Sequence, residues 1–212
     1  MTIGRLAPLY RWIEYTAFGR ALERRRFAFL PLLAGAKRVL IPGEGDGRVL
    51  ARLLRLAPEA RFDVVEVSPE MIALARRRSG NSDRVRFLCE DARNTRWPAG
   101  HYDAVLTMFF LDCFTEHDAR QVIRAVAGAL KPGGLWLVGE FAVPPSGWRR
   151  LQARIWIATM YRFFQVTTGL RARELAPIDR FLAEAGMVSL EREEARAGLL
   201  YSEVLTRRTP RE

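Results

Sequence analysis

Apolar and polar residues alternate with two different periods along the middle of this chain. RVLIP (38–42) is a short apolar run rich in β-branched side chains, which reads as a buried strand. After a glycine cluster, RVLARLLRLA (48–57) sets Val49, Leu50, Leu53, Leu54 and Ala57 on one helical face. FDVVEVS (62–68) reads as a second strand. Ser68, Pro69 and Glu70 then supply a cap, a first-turn proline and an acid at the positive helix end. The helix expected over PEMIALARRR (69–78) stops at Ser79-Gly80-Asn81. RVRFLCED (84–91) and YDAVLTMFF (102–110) are the expected third and fourth strands. DARQVIRAVAGAL (118–130) is a helix ended by KPGG (131–134), and LWLVGEF (135–141) is the fifth strand.

Strands and helices alternating at this pace imply parallel strands joined by right-handed crossovers, an α/β sandwich. The tail differs. MVSLEREEA (187–195) and LLYSEVLTRR (199–208) are strands separated only by Arg196-Ala197-Gly198, which suits an antiparallel hairpin. The expected fold is therefore a Rossmann-like three-layer sandwich with a mostly parallel seven-stranded sheet and an antiparallel C-terminal hairpin. Residues 1–212 read as a single domain: a helical cap over 1–35, a core over 36–145, an inserted helix over 146–170, and a C-terminal helix and hairpin over 171–212.

Of 212 residues, 49% are hydrophobic and 27% charged, a globular balance that supports one full core. The formal net charge of +10 is carried mainly by arginine. These arginines are spread along the chain, which argues against nucleic acid and leaves an anionic membrane surface open. Cys89 and Cys113 are isolated, as are His101 and His117, so no metal is expected and a reducing cytoplasm suits the chain. MTIGRLAPLY lacks the apolar centre of a signal peptide, and no apolar run is long enough to span a bilayer.

The candidate chemistry begins at VLIPGEGDGR (39–48), where the first strand gives way to glycines. In parallel α/β sheets such a loop is the ligand contact. A P-loop needs Lys-Ser/Thr after its last glycine, and here Arg48-Val49 follows. A dinucleotide fingerprint needs a small residue at its sixth position, which is Arg48 when counted from Gly43.

Several segments, taken in order, resemble the class I S-adenosylmethionine (SAM)-dependent methyltransferases over roughly residues 36–206. VLIPGEGDGR resembles that family's glycine motif, VVEVSPEMI its second-strand acid segment, VRFLCEDA its adenine-reading segment, and LKPGGLWLV its turn into the fifth strand. The resemblance implies SAM as cofactor, S-adenosylhomocysteine as product, and a transferase activity. It implies contacts from Gly43, Glu44, Gly45, Asp46, Gly47, Glu66, Val67, Met71, Asp91, Ala92 and Thr107, with Glu66 on the ribose and Asp91 on the adenine amine. An acidic loop suits a sulfonium ligand better than it suits a pyrophosphate. Ile41 stands where relatives carry an acid. Glu44 and Asp46 are candidates to meet the methionine amine in its place, and Asp46 alternatively caps the next helix.

At the fourth-strand end, TMFFLDCF (107–114) lacks the Asn/Asp-Pro-Pro-Tyr segment of family members that methylate base or amide nitrogens. An apolar stretch followed by Asp112 suits a small, apolar or lipid-like acceptor; the alternatives are a lipid or quinone-precursor methyltransferase at a membrane surface, an RNA-binding or RNA-modifying protein, and a non-catalytic SAM-binding protein. Asp112 and then Glu140 are the candidate bases or orienting groups, each with a purely structural alternative. Cys113 reads as a core residue and His117 as a surface one. Residues 9–30 read as one or two helices over the acceptor, and 146–170 as a helix with Arg150, Arg154 and Arg162 on one stripe. That helix either packs on the sheet with solvated arginines or forms a lid resting on a membrane. Tyr10, Tyr15, Phe109, Phe110, Trp156 and Tyr161 are the candidate pocket residues. A peripheral membrane contact and a homodimer are the candidate macromolecular associations.

Overall fold

The computed structural model describes residues 20–144, 146–168 and 175–208. Helix α1 (Arg20–Phe27) and a 3-10 turn (Leu30–Leu33) lead into β1 (Arg38–Pro42). There follow α2 (Arg48–Leu56), β2 (Arg61–Val65), α3 (Pro69–Arg78), β3 (Val85–Leu88) and β4 (Tyr102–Met108). A second 3-10 turn (Leu111–Cys113), α4 (Glu116–Ala129), β5 (Leu130–Phe141), α5 (Gly147–Thr168), α6 (Ile178–Glu184), β6 (Met187–Ala195) and β7 (Leu200–Arg207) complete the order.

All seven strands form one sheet in the order β3-β2-β1-β4-β5-β7-β6. Strands β1 to β5 pair in parallel, and β7 runs antiparallel between β5 and β6. Alternate side chains of each strand feed opposite faces. On β1, Val39 and Ile41 join Val49, Leu50 and Leu53 of α2 in one core layer. Leu40 points to the other layer, with Val122, Ile123 and Val126 of α4 and Phe181 of α6. Ile41 is thus a core residue in a strand buried on both faces, as parallel strands are.

Local chemistry accounts for the element ends. Ser68 Oγ accepts from Met71 N at 3.3 Å and starts α3 at Pro69. Arg84 donates to the carbonyl oxygens of Leu54 (2.8 Å), Ala57 (3.0 Å) and Pro58 (2.9 Å), closing the C-terminal end of α2. Arg196 and Ala197 take left-handed backbone at the β6–β7 turn. Several strand limits differ from the pattern-based expectation, β2 ending at Val65 and β3 at Leu88. β5 begins at Leu130, because the KPGG segment enters the sheet as an irregularity between the Tyr102 and Ala104 pairings. β4 ends at Met108, because Phe109 turns left-handed with φ 56°.

Candidate functional site

Residues 43–47 leave β1 at the carboxyl edge of the sheet, beside β4, where the strand order reverses. Gly47, with φ 85°, is the N-cap of α2, and a Cβ there would stand 2.6 Å from Ala75 Cα. Glycine therefore lets α2 begin tight against α3. The loop's two acids do different work. Glu44 Oε1 accepts from Leu50 N at 3.0 Å, satisfying one of the open donors at the start of α2. Burial pushes the Glu44 carboxyl up to about 8, against the pull of that N–H. Asp46 does not cap the helix. Its Oδ1 meets Arg48 Nε at 3.0 Å and its Oδ2 meets Arg78 Nη1 at 2.7 Å. Burial opposes ionisation of Asp46, but these two guanidinium groups outweigh it and hold its carboxyl below the usual range.

Glu66 follows β2 directly, facing the glycine loop. Its Oε2 accepts from Gly45 N at 3.1 Å and its Oε1 from Ser68 N at 3.0 Å. Burial raises its carboxyl, partly offset by those N–H donors. Each oxygen keeps a second lone pair for a ligand hydroxyl. Val67 beside it is exposed, and Met71 is half-buried in the first turn of α3. At the end of β3, Asp91 accepts from Arg93 Nε at 3.0 Å and from Arg93 N at 2.9 Å, and this partner holds its carboxyl low. Ala92 is buried behind it. Thr107 is not brought to the mouth of the site. It is fully buried in β4, and its Oγ1 accepts from Trp136 Nε1 at 2.9 Å.

Across the edge, the fold unites the two carboxyls that sequence singled out separately. Asp112 lies on the 3-10 turn after β4, and Glu140 on β5; both are buried. Glu140 Oε1 accepts from Phe110 N at 3.1 Å and from Leu111 N at 2.7 Å, pinning the turn that follows the left-handed Phe109. Among the described residues no N–H or O–H donor reaches Glu140 Oε2. Burial drives the Glu140 carboxyl well up, and the neighbouring Asp112 drives it further. Burial also raises Asp112, to about 6, while a hydrogen bond from Glu140 restrains it. Two buried carboxyls this close resist ionising together, so the pair favours a state with a single charge. Cys113 is exposed and not a core residue, with its Sγ 3.6 Å from Asp112 Oδ1.

Two aromatic pairs flank the turn that bears Asp112. Phe110 meets Phe114 edge-on at 5.0 Å, and Phe109 meets Phe141 at 5.1 Å. Helix α1 crosses here: Leu22 packs with Phe109, Phe141 and Leu200, and Arg26 lies 5.3 Å from the Phe109 ring centre. Phe114, Phe141, Leu22 and Arg26 were not singled out by sequence, since nothing local marks them as neighbours of Asp112. Trp156 of α5 is exposed. Tyr10, Tyr15 and the side chain of Tyr161 lie outside the described residues. His117 is exposed, and among the described residues no group of three or more His, Cys, Asp or Glu is placed to hold a metal.

The edge fits the cofactor that the motifs imply. Open space stands beside Gly45, where a Cβ would meet nothing within 4 Å, while the half-buried Glu66 carboxylate and exposed Val67 offer a hydroxyl acceptor and an apolar surface.

Comparisons with known proteins give the same reading. A family model described as a methyltransferase domain matches residues 39–134. The demethylmenaquinone methyltransferase of Thermus thermophilus is 32% identical over 161 residues, covering 74% of this chain and 72% of that protein. A ubiquinone/menaquinone biosynthesis C-methyltransferase of Pseudomonas putida is 30% identical over 152 residues, covering 70% of this chain. The chain spans 57% of the length of that Pseudomonas relative. Among solved structures, the N-methyltransferase NodS from Bradyrhizobium japonicum, in complex with S-adenosylhomocysteine, superposes with a TM-score of 0.65 at 19% identity, covering 88% of this chain and 87% of that one.

Proposed function

This chain belongs to the class I SAM-dependent methyltransferases, and we propose that its acceptor is a small apolar ring compound of the demethylated quinone type. The observation that carries the reading is the buried Asp112–Glu140 pair at the carboxyl edge, joined through the Phe110 backbone to the Phe110–Phe114 ring pair. The two relatives named above act on quinones by name, which supports this acceptor class.

SAM supplies an electrophilic methyl group when bound. Glu66 holds the ribose hydroxyls, Val67 and Met71 flank the adenine, and the backbone of residues 43–47 borders the methionine end. Asp91 is available to the adenine amine from a carboxylate that Arg93 keeps ionised. On the acceptor side the phenylalanines exclude water and stack the ring. Asp112 accepts the proton of a ring hydroxyl, which leaves the electron pair on the ring and makes its carbon nucleophilic. With one carboxyl of the pair kept protonated, the site carries a single negative charge throughout, first on Asp112 and then on the ring oxygen.

The experiment is incubation with methyl-labelled SAM and a reduced demethylated quinone in detergent. Label in the extracted quinone, matched by S-adenosylhomocysteine, is the expected result. Bound SAM with no transfer to this acceptor would overturn the acceptor assignment.

A further inference from the structure

Helix α5 carries apolar residues on its outward side as well as on its inward one. Among the described residues its buried side chains are Ala153 and Ile157, and Ile157 sits on Leu175 and Leu199. At a hundred degrees per residue, Trp148, Leu151, Ile155 and Arg162 fall within a sector of about 60° on the opposite side. Trp148 is 70% exposed, Leu151 64% and Ile155 60%. Arg154 and Arg162, both exposed, border and continue the stripe. Among the described residues no helix is long and apolar enough to cross a membrane.

Leu199 fixes where this helix stands. It packs with Ile157 of α5 and also belongs to the cluster formed by Leu22 of α1 with Phe109 and Phe141. The helix therefore stands at the carboxyl edge of the sheet, by the cluster of Leu22, Phe109 and Phe141. Exposed Arg20 and Arg24 of α1 add cationic groups at that edge, and the whole chain carries +10.

We infer that α5 docks this edge on an anionic lipid surface, with Trp148, Leu151 and Ile155 entering the headgroup boundary and the arginines meeting lipid phosphates. An outward apolar stripe with an interfacial tryptophan and a cationic border is how an in-plane amphipathic helix binds a bilayer. A nucleic-acid partner would meet the arginines but would leave Leu151 and Ile155 unsatisfied. The inference does not depend on which acceptor is methylated.

The test is co-sedimentation of the full chain with phosphatidylglycerol/phosphatidylcholine vesicles, against phosphatidylcholine alone, at low and high salt, with tryptophan emission recorded. Salt-sensitive binding to the anionic vesicles, with a blue shift, is expected. A combined Trp148→Ser, Leu151→Ser and Ile155→Ser variant should bind at least about tenfold more weakly, and Arg154→Glu with Arg162→Glu should lose on the order of tenfold. SAM affinity should be unchanged in both variants, which also verifies their fold. Four results would overturn the inference: no vesicle binding, binding unaltered in the triple variant, a dimer that the triple variant dissolves, or hydrogen-exchange protection of residues 148–155 without vesicles.

Discussion

Phe110 occupies the space that any side chain at Gly43 would need: a Cβ there would stand 2.0 Å from Phe110 Cδ2. The first glycine of the loop is therefore coupled to the Phe110 ring, which stands just before the turn that bears Asp112. Gly43→Ala should destabilise the protein by roughly 2–4 kcal/mol, combining overpacking with left-handed backbone at φ 67°. Phe110→Ala added to it should recover the overpacking part. Urea denaturation of the single and double variants measures this, and strict additivity would mean the two residues do not compete.

Glu66→Ala should weaken SAM binding by about 2–3 kcal/mol, the loss expected for charge-assisted hydrogen bonds to a ligand. The same change frees the N–H groups of Gly45 and Ser68, so the apo protein should also lose stability. Calorimetry separates the two effects. An unchanged affinity would remove Glu66 from the ribose.

Asp112 must be ionised to take a proton, so kcat should rise with pH through about 6 and then level off. Asp112→Asn should abolish that limb and lower kcat by on the order of a hundredfold or more. Glu140→Gln keeps an oxygen for the N–H groups of Phe110 and Leu111 and should retain the fold. Glu140→Ala leaves both donors open, at a cost of about 1–3 kcal/mol each if they stay dry. A pH–rate profile identical in wild type and Asp112→Asn would exclude Asp112 as the base.

Glu44 carries a carboxyl raised from 4.5 to about 8, so the fold binds a proton that the unfolded chain releases. Stability of the apo protein should therefore fall as pH climbs from about 4.5 to about 8 and flatten above that. Glu66, Asp112 and Glu140 are raised too and add to the slope, so Glu44→Gln should flatten it in part. Thermal midpoints across this range check the direction; a midpoint rising with pH would contradict it.

Thr107→Val should cost about 1–3 kcal/mol by orphaning Trp136 Nε1, and should leave SAM affinity unaltered. Weaker SAM binding in a folded variant would return Thr107 to the cofactor contacts.

Where one interaction range dominates, the sequence was readable. The expected limits of β1, α3 and β6 match the structure, because a cap, a proline and a buried apolar run act within a few residues. Of the two roles open to Asp46 the cap is not taken up, because Arg48 and, from the end of α3, Arg78 engage its carboxylate. The capping work falls to Glu44, which reaches forward to Leu50. Asp112 and Glu140 were each legible as acids at strand ends. Their mutual influence was not, since it arises only when β4 and β5 pair. The outward stripe of α5 was hidden for a similar reason: helical spacing reveals a face, and only packing on Leu199 reveals which face is turned inward.

The position of β7 governs when the site comes into being. Glu140 pairs with Tyr201 across the β5–β7 ladder, so the acid that pins the Phe109–Leu111 turn stands on a strand completed by residues 200–207. During synthesis the glycine loop and Glu66 have their partners early, while β5 waits as an open edge. The part of the edge proposed to hold SAM can thus mature before the part proposed to hold the acceptor, which assembles only after distant segments meet. A nascent chain stalled before β7 should take up SAM yet have no seat for an acceptor.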